Sequence, residues 1–321
     1  MLTVGPASAE ADRLRAMARV ATRFRLNASH LSPDRLAWHL ALIRDALEGT
    51  GLARPVVIDL QGAKVRVGQY PATSAVPQRV ELHLAEVSDD PAIIPVPHEA
   101  VFAQTAVGDE LHLNDRRVVL RVVGRSAADR LEAETLVVGP LAAGKGLNCP
   151  SRVYELPRVT ARDAAAIEVG CRFPDVEFAV SFLLDGREGA LFRPLIGGRR
   201  LIAKIERPPA FAALAAIDEA FDELWLCRGD LGAEVPLRDL GPWQSRFVAS
   251  FPQLRKPRLL AGEVLGSMVQ AALPTRSEIV HLHDIEAAGF DGIVLSDETA
   301  VGTQVPAVVR FLEDWLATTG E

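Results

Sequence analysis

This sequence has few cysteines, no excess of basic residues and no long apolar run. Its three cysteines, Cys149, Cys171 and Cys227, lie far apart and form no CxxC pair, which excludes a disulfide framework and a zinc site and predicts a reducing cytoplasm. There are 35 basic and 42 acidic residues, giving a net charge of −7. We therefore expect no nucleic-acid partner.

Signals for export and catalytic signature motifs are equally scarce. The first residues, MLTVGPASAEADRL, contain no basic or apolar leader, and no apolar window approaches membrane-spanning length. We expect a soluble, unexported protein with no membrane contact. The seven histidines form no metal-spaced cluster, and no GxSxG, Walker A or GxGxxG motif occurs.

What the sequence does contain is a regular alternation of apolar runs and helical patterns, which is typical of a parallel α/β fold. The apolar runs predict eight strands, over residues 2–4, 21–28, 56–60, 177–182, 201–205, 223–227, 258–261 and 292–295. Helices are predicted over residues 9–20, 33–47, 160–169, 186–196, 208–220, 240–250, 265–272 and 306–318. This order predicts a (β/α)₈ TIM barrel with its active site at the carboxyl ends of the strands.

One segment interrupts the alternation. Residues 69–150 contain short alternating stretches such as RVELHLAEV and ETLVVGP separated by turn residues, which predicts a small all-β domain inserted after the third strand. The barrel domain would then comprise residues 1–68 and 151–321. An insertion at that end of a strand is expected to act as a lid.

Charged residues follow two of the predicted strands. Lys204 and Glu206 are two residues apart in LIAKIE and share one face of a strand, while Asp230 follows the next strand in a turn that opens a short helix. The two carboxylates suit a divalent cation such as Mg²⁺, and the lysine suits an anion. The alternative is a salt bridge between Lys204 and either carboxylate.

Polar residues also end the second and third strands. A period of two places Arg25, Asn27 and Ser29 on one face, and Asp59 ends the third strand. Their oxygens could hold a monovalent or a divalent cation. The alternatives are a hydrogen-bonded polar plug, with Ser29 capping a helix, and Asp59 capping a turn.

The last strand is followed by Ser296, Asp297 and Glu298. These residues are compatible with a site, and equally with a helix that is capped by Ser296 or Asp297 and has Glu298 in its first turn.

Taken in order, these segments resemble the pyruvate kinase family over essentially the whole chain. The resemblance is carried by TVGPAS, RLNASH, VVIDLQGAKVRVG, GKGLNCP, IAKIE, CRGDLGAEVP, LPTRSE and VLSDETA, with Ala63 standing where the family usually has proline. It implies a phosphotransferase that acts on phosphoenolpyruvate or pyruvate with ADP or ATP in glycolysis. Mg²⁺ or Mn²⁺ and K⁺ are the implied cofactors.

The resemblance also implies roles for matching residues. Glu206 and Asp230 would bind Mg²⁺, while Lys204, Arg25 and Arg66 would act on the phosphoryl group. The remaining implied roles are K⁺ binding by Asn27, Ser29, Asp59 and the Leu60 carbonyl, substrate binding by Gly229, Asp230, Gly262 and Ser296, and nucleotide binding by Arg25, His30 and Lys145.

Several departures from the family pattern leave the reaction open. Gly262 replaces a substrate-facing threonine, Asp297 replaces a glycine, and Val301 replaces a lysine near the nucleotide; one of two lid lysines is also missing. The sequence ends at Glu321, so we expect no C-terminal regulatory domain. An alternative is a metal-dependent lyase, aldolase or decarboxylase on a pyruvate-like 2-oxo acid, with Gly262 making room for a larger substrate. A non-catalytic paralogue or sensor is a third possibility, and a homodimer through the LPTRSE region is expected.

Overall fold

The computed structural model describes residues 1–319. The chain begins with three parallel strands and two helices, in the order β1 (Leu2–Thr3), α1 (Ala11–Val20), β2 (Phe24–Asn27), α2 (Pro33–Leu47) and β3 (Val56–Asp59). Helix α2 starts with Pro33 at its first position, and the Ser32 side chain accepts a hydrogen bond from the Arg35 N–H. Both are standard helix-start devices, so local chemistry sets this boundary.

A second sheet follows β3. Its elements are β4 (Arg79–His83), β5 (Ile93–Pro95), α3 (Glu99–Gln104), β6 (Glu110–Leu113), β7 (Val118–Ala127), β8 (Arg130–Val137) and β9 (Leu147–Asn148). The strands pair in the order β5-β4-β8-β7-β6-β9, antiparallel except for β4 with β5. This sheet has its own apolar core, which includes Leu82, Val101 and Leu120.

The remaining chain returns to alternating helices and strands. The elements are α4 (Ala161–Gly170), β10 (Val176–Val180), α5 (Arg187–Phe192), β11 (Leu201–Ile205), α6 (Pro208–Ala212), α7 (Leu214–Ala220), β12 (Glu223–Cys227), α8 (Arg228–Glu234), α9 (Leu240–Ala249), β13 (Arg258–Ala261), α10 (Arg276–Ala287), β14 (Gly292–Val294), α11 (Asp297–Ala300) and α12 (Val305–Thr319).

The eight parallel strands form one sheet in the order β1-β2-β3-β10-β11-β12-β13-β14. A parallel bridge between Leu2 and Leu295 joins the two ends of this sheet. Its interior contains an apolar cluster with Val57, Ala179, Ile202 and Trp225. The prediction of a TIM barrel interrupted by a β-rich insertion after the third strand is confirmed.

By residue contacts the chain divides into two units. The first contains Met1–Gly62, Arg158–Gly229 and Gly241–Glu321, and the second contains Ala63–Pro157 and Asp230–Leu240. The domain boundaries proposed from the sequence stay a prediction: residues 1–68 and 151–321 for the barrel domain, and residues 69–150 for the inserted domain.

Two helix predictions were wrong in detail, one helix was not predicted, and one expected turn is missing. The segment 208–220 is two helices, α6 and α7, separated at Ala213. The segment 265–272 contains only a 3₁₀ helix, Gly266–Val269, and the helix before β14 is α10, which was not predicted. The expected turn after β12 is also missing, because α8 begins directly at Arg228.

Candidate active site at the carboxyl ends of the barrel strands

The candidate site arises from the two-residue period of three barrel strands. Each strand places an apolar side chain in the barrel core and a polar side chain two residues later, in the pairs Val57 and Asp59, Ala179 and Ser181, and Ile202 and Lys204. The register places Asp59 opposite both Asn27 and Ala179. Because parallel strands end at the same rim, these polar groups meet there.

Lys204 is at the centre of this rim. Its Nζ lies 3.0 Å from Asp59 Oδ1 and 2.7 Å from Glu206 Oε1, and it donates to Ser181 Oγ at 2.8 Å. Lys204 and Glu206 are both buried. The salt bridge that the sequence left as an alternative is therefore present, and it belongs to a larger network of charges.

Arg25 supplies the second positive charge of the rim. Its Nε donates to Asp59 Oδ2 at 2.8 Å, and its Nη1 donates to Thr3 Oγ1 at 3.0 Å. Burial alone would raise the pKa of Asp59, but the neighbouring Lys204 and Arg25 outweigh burial and hold that pKa below its usual range. Asp59 is therefore ionised at neutral pH.

Glu206 is held by the backbone as well as by Lys204. Its carboxylate accepts the N–H of Phe182 at 2.8 Å, and the side chain has no solvent exposure. Phe182 has a φ of 60°, a left-handed conformation that costs a non-glycine residue about 1–3 kcal/mol. Phe182 lies two residues after the end of β10.

The predicted K⁺ ligands lie on different local structures. Asn27 ends β2, whereas Ser29 lies in a 3₁₀ helix, Ala28–His30, so the expectation that a strand face includes Ser29 was wrong. Nor does Ser29 cap the next helix, α2, because its cap is Ser32. The Asn27 side chain caps the 3₁₀ helix by accepting the Ser29 N–H at 3.1 Å. The Leu60 carbonyl accepts from Ser181 Oγ at 2.7 Å.

The first turn of α8 contacts the segment after β13. Arg228 donates from Nε and Nη2 to the Gly262 carbonyl at 2.9 and 2.6 Å. Gly262 has a φ of 93°, and a Cβ added there would lie 3.0 Å from the Gly229 nitrogen. The missing side chain thus permits a close approach of two backbones.

Ser296 precedes the short helix α11, but its side chain makes no capping hydrogen bond. Its N–H donates instead to Glu298 Oε2 at 2.8 Å, and Glu298 Oε1 accepts the Leu265 N–H at 3.1 Å. The capping role proposed for Ser296 was therefore wrong. Glu298 is buried and ties two loops together.

The other predicted site residues lie in the second unit or on the surface. Within the second unit, Lys64 forms an ion pair with Asp230, and the Arg66 guanidinium donates to the Gly144 carbonyl at 2.7 Å. Lys145 and, in the barrel unit, His30 are exposed.

Ser181 belongs to the rim but was not predicted from the sequence. Extending the inward face from Ala179 by two residues would have identified it, but a lone serine after an apolar run carries no charge signal. Its hydroxyl contacts both Lys204 and Leu60.

Over residues 1–319, no three His, Cys, Asp or Glu side chains form a group that could bind a metal. A site with two protein carboxylates does not require such a group, because Mg²⁺ commonly keeps several waters and binds substrate phosphates.

The fold and this rim define an α/β-barrel protein with a buried lysine and carboxylates at the strand ends. The family model described as "Pyruvate kinase, barrel domain" matches residues 1–308, and the chain belongs to the pyruvate kinase family. It is 34% identical over 307 residues to a pyruvate kinase of Agrobacterium vitis, covering 94% of this chain and 64% of the relative.

A pyruvate kinase of Corynebacterium efficiens is 31% identical over 318 residues, covering 97% of this chain and 67% of the relative. The chain thus spans slightly less than two thirds of the length of the Agrobacterium relative. Among residues 1–319, no helix is both long enough and apolar enough to cross a membrane.

Proposed function

We propose that the chain is a pyruvate kinase-type phosphotransferase acting on phosphoenolpyruvate or pyruvate with ADP or ATP. The observation that carries the proposal is the rim of Arg25, Asp59, Ser181, Lys204 and Glu206. A buried charge network adds little net stability, because desolvation offsets the attraction between its charges. Its position at the catalytic end of a barrel favours a role in chemistry.

Lys204 is the proposed electrostatic catalyst. Three oxygen atoms fix its ammonium within 3.0 Å, so its positive charge is oriented before substrate binds and no reorganisation accompanies the reaction. Arg25 and Arg66 are the proposed phosphate contacts. Because Arg25 is tied to Asp59 through Nε, the Asp59 carboxylate sets its orientation.

Mg²⁺ or Mn²⁺, when bound, would stabilise negative charge on the phosphoryl and enolate oxygens. Glu206 and Asp230 are the proposed ligands, and Glu206 fits because it is a buried carboxylate held by an N–H and by Lys204. For K⁺, the proposed ligands are oxygens of Asn27, Ser29, Asp59 and Leu60, a donor set that suits a hard cation.

Substrate and nucleotide binding are proposed from the resemblance. The N–H groups of Gly229 and Asp230 would receive the substrate carboxylate, with Gly262 and Ser296 beside it. Exposed His30 and Lys145, together with Arg25, would contact the nucleotide. We also propose a homodimer in the cytoplasm and a place in glycolysis.

The decisive experiment measures pyruvate formed from phosphoenolpyruvate by the purified chain. Activity is expected only when ADP, Mg²⁺ and K⁺ are all present. Omitting each component in turn shows whether each of the two cations is required. Lys204→Met should abolish turnover. Lys256→Met is the matched control, because Lys256 lies two residues before the first residue of β13, away from the carboxyl ends of the strands. Its turnover should be unchanged. ADP-independent turnover, or activity in Lys204→Met, would contradict the proposal.

Two departures on the nucleotide side favour a second candidate, a metal-dependent lyase, aldolase or decarboxylase on a pyruvate-like acid. Asp297 and Val301, at the start and just after the end of α11, are exposed, so an acidic and an apolar group stand where the family has glycine and lysine. This candidate predicts exchange of pyruvate methyl protons with heavy water without nucleotide. A sensor would be favoured if the chain shows neither activity and if calorimetry finds no Mg²⁺ binding that is lost in Glu206→Gln.

A further inference from the structure

The Arg228 side chain holds the segment that follows β13. Its guanidinium donates to the Gly262 carbonyl from two nitrogens and to the Glu263 carbonyl at 3.0 Å. The Nε and Nη2 atoms of this partly buried guanidinium thus contact backbone carbonyls. Its remaining nitrogen, Nη1, contacts the imidazole of His281. Arg228 is therefore fixed on both sides.

The segment that Arg228 holds has an unusual backbone. Gly262 and Glu263 have φ angles of 93° and 52°, so two consecutive residues are left-handed, and one of them is not a glycine. Gly262 approaches the Gly229 nitrogen so closely that an added Cβ would lie 3.0 Å away. Any movement of this turn changes the surroundings of the Gly229 N–H.

His281 contacts Arg228 from helix α10. Its Nε2 lies 2.6 Å from Arg228 Nη1. Because a guanidinium has donors and no acceptor, Nε2 must be the acceptor and the proton must be on Nδ1. Burial and Arg228 lower the pKa of His281, opposed by Asp284. Glu263 and Glu298 face Arg228 with negative charge.

We infer that His281 is a positioning residue that orients Arg228, and that Arg228 in turn fixes the Gly262–Glu263 turn against the N–H of Gly229. The inference rests on the proposed function, because that N–H is proposed to bind the substrate carboxylate. Protonation of His281 would place two cations 2.6 Å apart and release the guanidinium, so binding of the acid should weaken at low pH.

The structural part of the inference is tested without any substrate. Nitrogen NMR of the histidine-labelled protein at pH 7.5 should show His281 neutral, with Nε2 unprotonated. An Nε2–H tautomer would overturn the inference. The Gly229 amide resonance should move in His281→Ala and stay in place in His283→Ala, an exposed residue of the same helix. An unmoved Gly229 resonance in His281→Ala would also overturn it.

The functional part is tested by calorimetry with phosphoenolpyruvate and Mg²⁺. His281→Ala should raise Kd and KM roughly tenfold, the order expected for one lost hydrogen bond to a charged group, with a smaller change in kcat. His281→Gln should bind normally at pH 7.5, because its amide oxygen can accept from Arg228, and should lose the decline of affinity at low pH. His283→Ala should match the unmodified protein.

Equal Kd values for His281→Ala and the unmodified protein would overturn the inference. If the unmodified protein binds no phosphoenolpyruvate, the proposed function fails, and the NMR result alone decides whether His281 orients Arg228. Should His281→Ala fail to fold, the pH profile of His281→Gln decides: a profile identical to that of the unmodified protein contradicts the inference.

Discussion

At the residue scale, single hydroxyl and amide groups determine how the charges of the rim are oriented. The Lys204 ammonium contacts two carboxylates at once. Ser181 supplies a third, neutral partner and is itself tied to the Leu60 carbonyl. The serine therefore links the end of β3 to the lysine of β11.

Replacing Ser181 by alanine should reduce the proposed phosphotransfer without unfolding the barrel. The Lys204 ammonium loses one hydrogen bond of a kind worth about 1.5–3 kcal/mol, so kcat should fall roughly ten- to hundredfold. The measurement is kcat at saturating phosphoenolpyruvate and ADP. Ser277→Ala, on the exposed face of α10, is the control, and unchanged turnover in Ser181→Ala would rule out this role.

Sequence reasoning singled out Lys204, Glu206 and Asp59 because a charge at the end of an apolar strand is costly to bury and is usually kept for function. The structure brings these three side chains together, and their roles stay a prediction. Ser181 and His281 were missed because a serine and a histidine are common in neutral settings. Their significance comes from contacts with residues distant in sequence. Ser181 contacts Lys204, 23 residues away, and His281 contacts Arg228, 53 residues away.

At the element scale, helices α2, α4 and α10 each begin after a side chain that accepts one of the first N–H groups. Helix α10 begins with a capping box in which Thr275 and Glu278 accept each other's backbone N–H, at 3.3 Å and 2.7 Å. The Glu278 carboxylate also accepts the Ser267 N–H at 2.7 Å. One residue thus caps a helix and anchors the preceding loop.

Thr275→Ala should destabilise the protein by about 1 kcal/mol, because it removes the cap of α10. The expected result is a lower denaturant midpoint with an unchanged slope, measured by urea unfolding followed by circular dichroism. Thr318→Ala is the control, since Thr318 is exposed near the end of α12 and should change stability by less than about 0.5 kcal/mol. Equal midpoints would show that the cap contributes nothing.

The same helix shows why element prediction from sequence was incomplete. Within α10 only Leu282 and Ile285 are buried, so its apolar period is weak and it was not predicted. The capping signature from Thr275 to Glu278 was the available signal. The barrel strands β3, β10, β11 and β12, by contrast, are buried along their whole length, and the barrel strands were predicted to within a few residues.

At the scale of the whole molecule, buried and half-buried histidines are expected to make stability depend on pH. Burial lowers the pKa values of His39, His98, His112 and His281. The unfolded chain, with histidine pKa values near about 6.5, binds more protons than the native one. The stability that these histidines contribute is therefore fully present above the unfolded pKa. It is lost as the pH falls through their lower pKa values in the folded protein.

We expect a lower urea midpoint at pH 5.5 than at pH 7.5, in a range where the carboxylates stay ionised. His39→Gln should narrow this difference, because one of the four groups no longer titrates. Identical midpoints at the two pH values in the unmodified protein would contradict the expectation.

The bridge between Leu2 and Leu295 has a consequence for synthesis. A nascent chain that emerges from the ribosome in order presents its first strand long before the last one exists. The ring of strands cannot close until almost all of the barrel has been translated, and closure over such a sequence separation is slow. During that interval β1 and the growing edge of the sheet lack their partners, and an unpaired strand edge can pair with another chain.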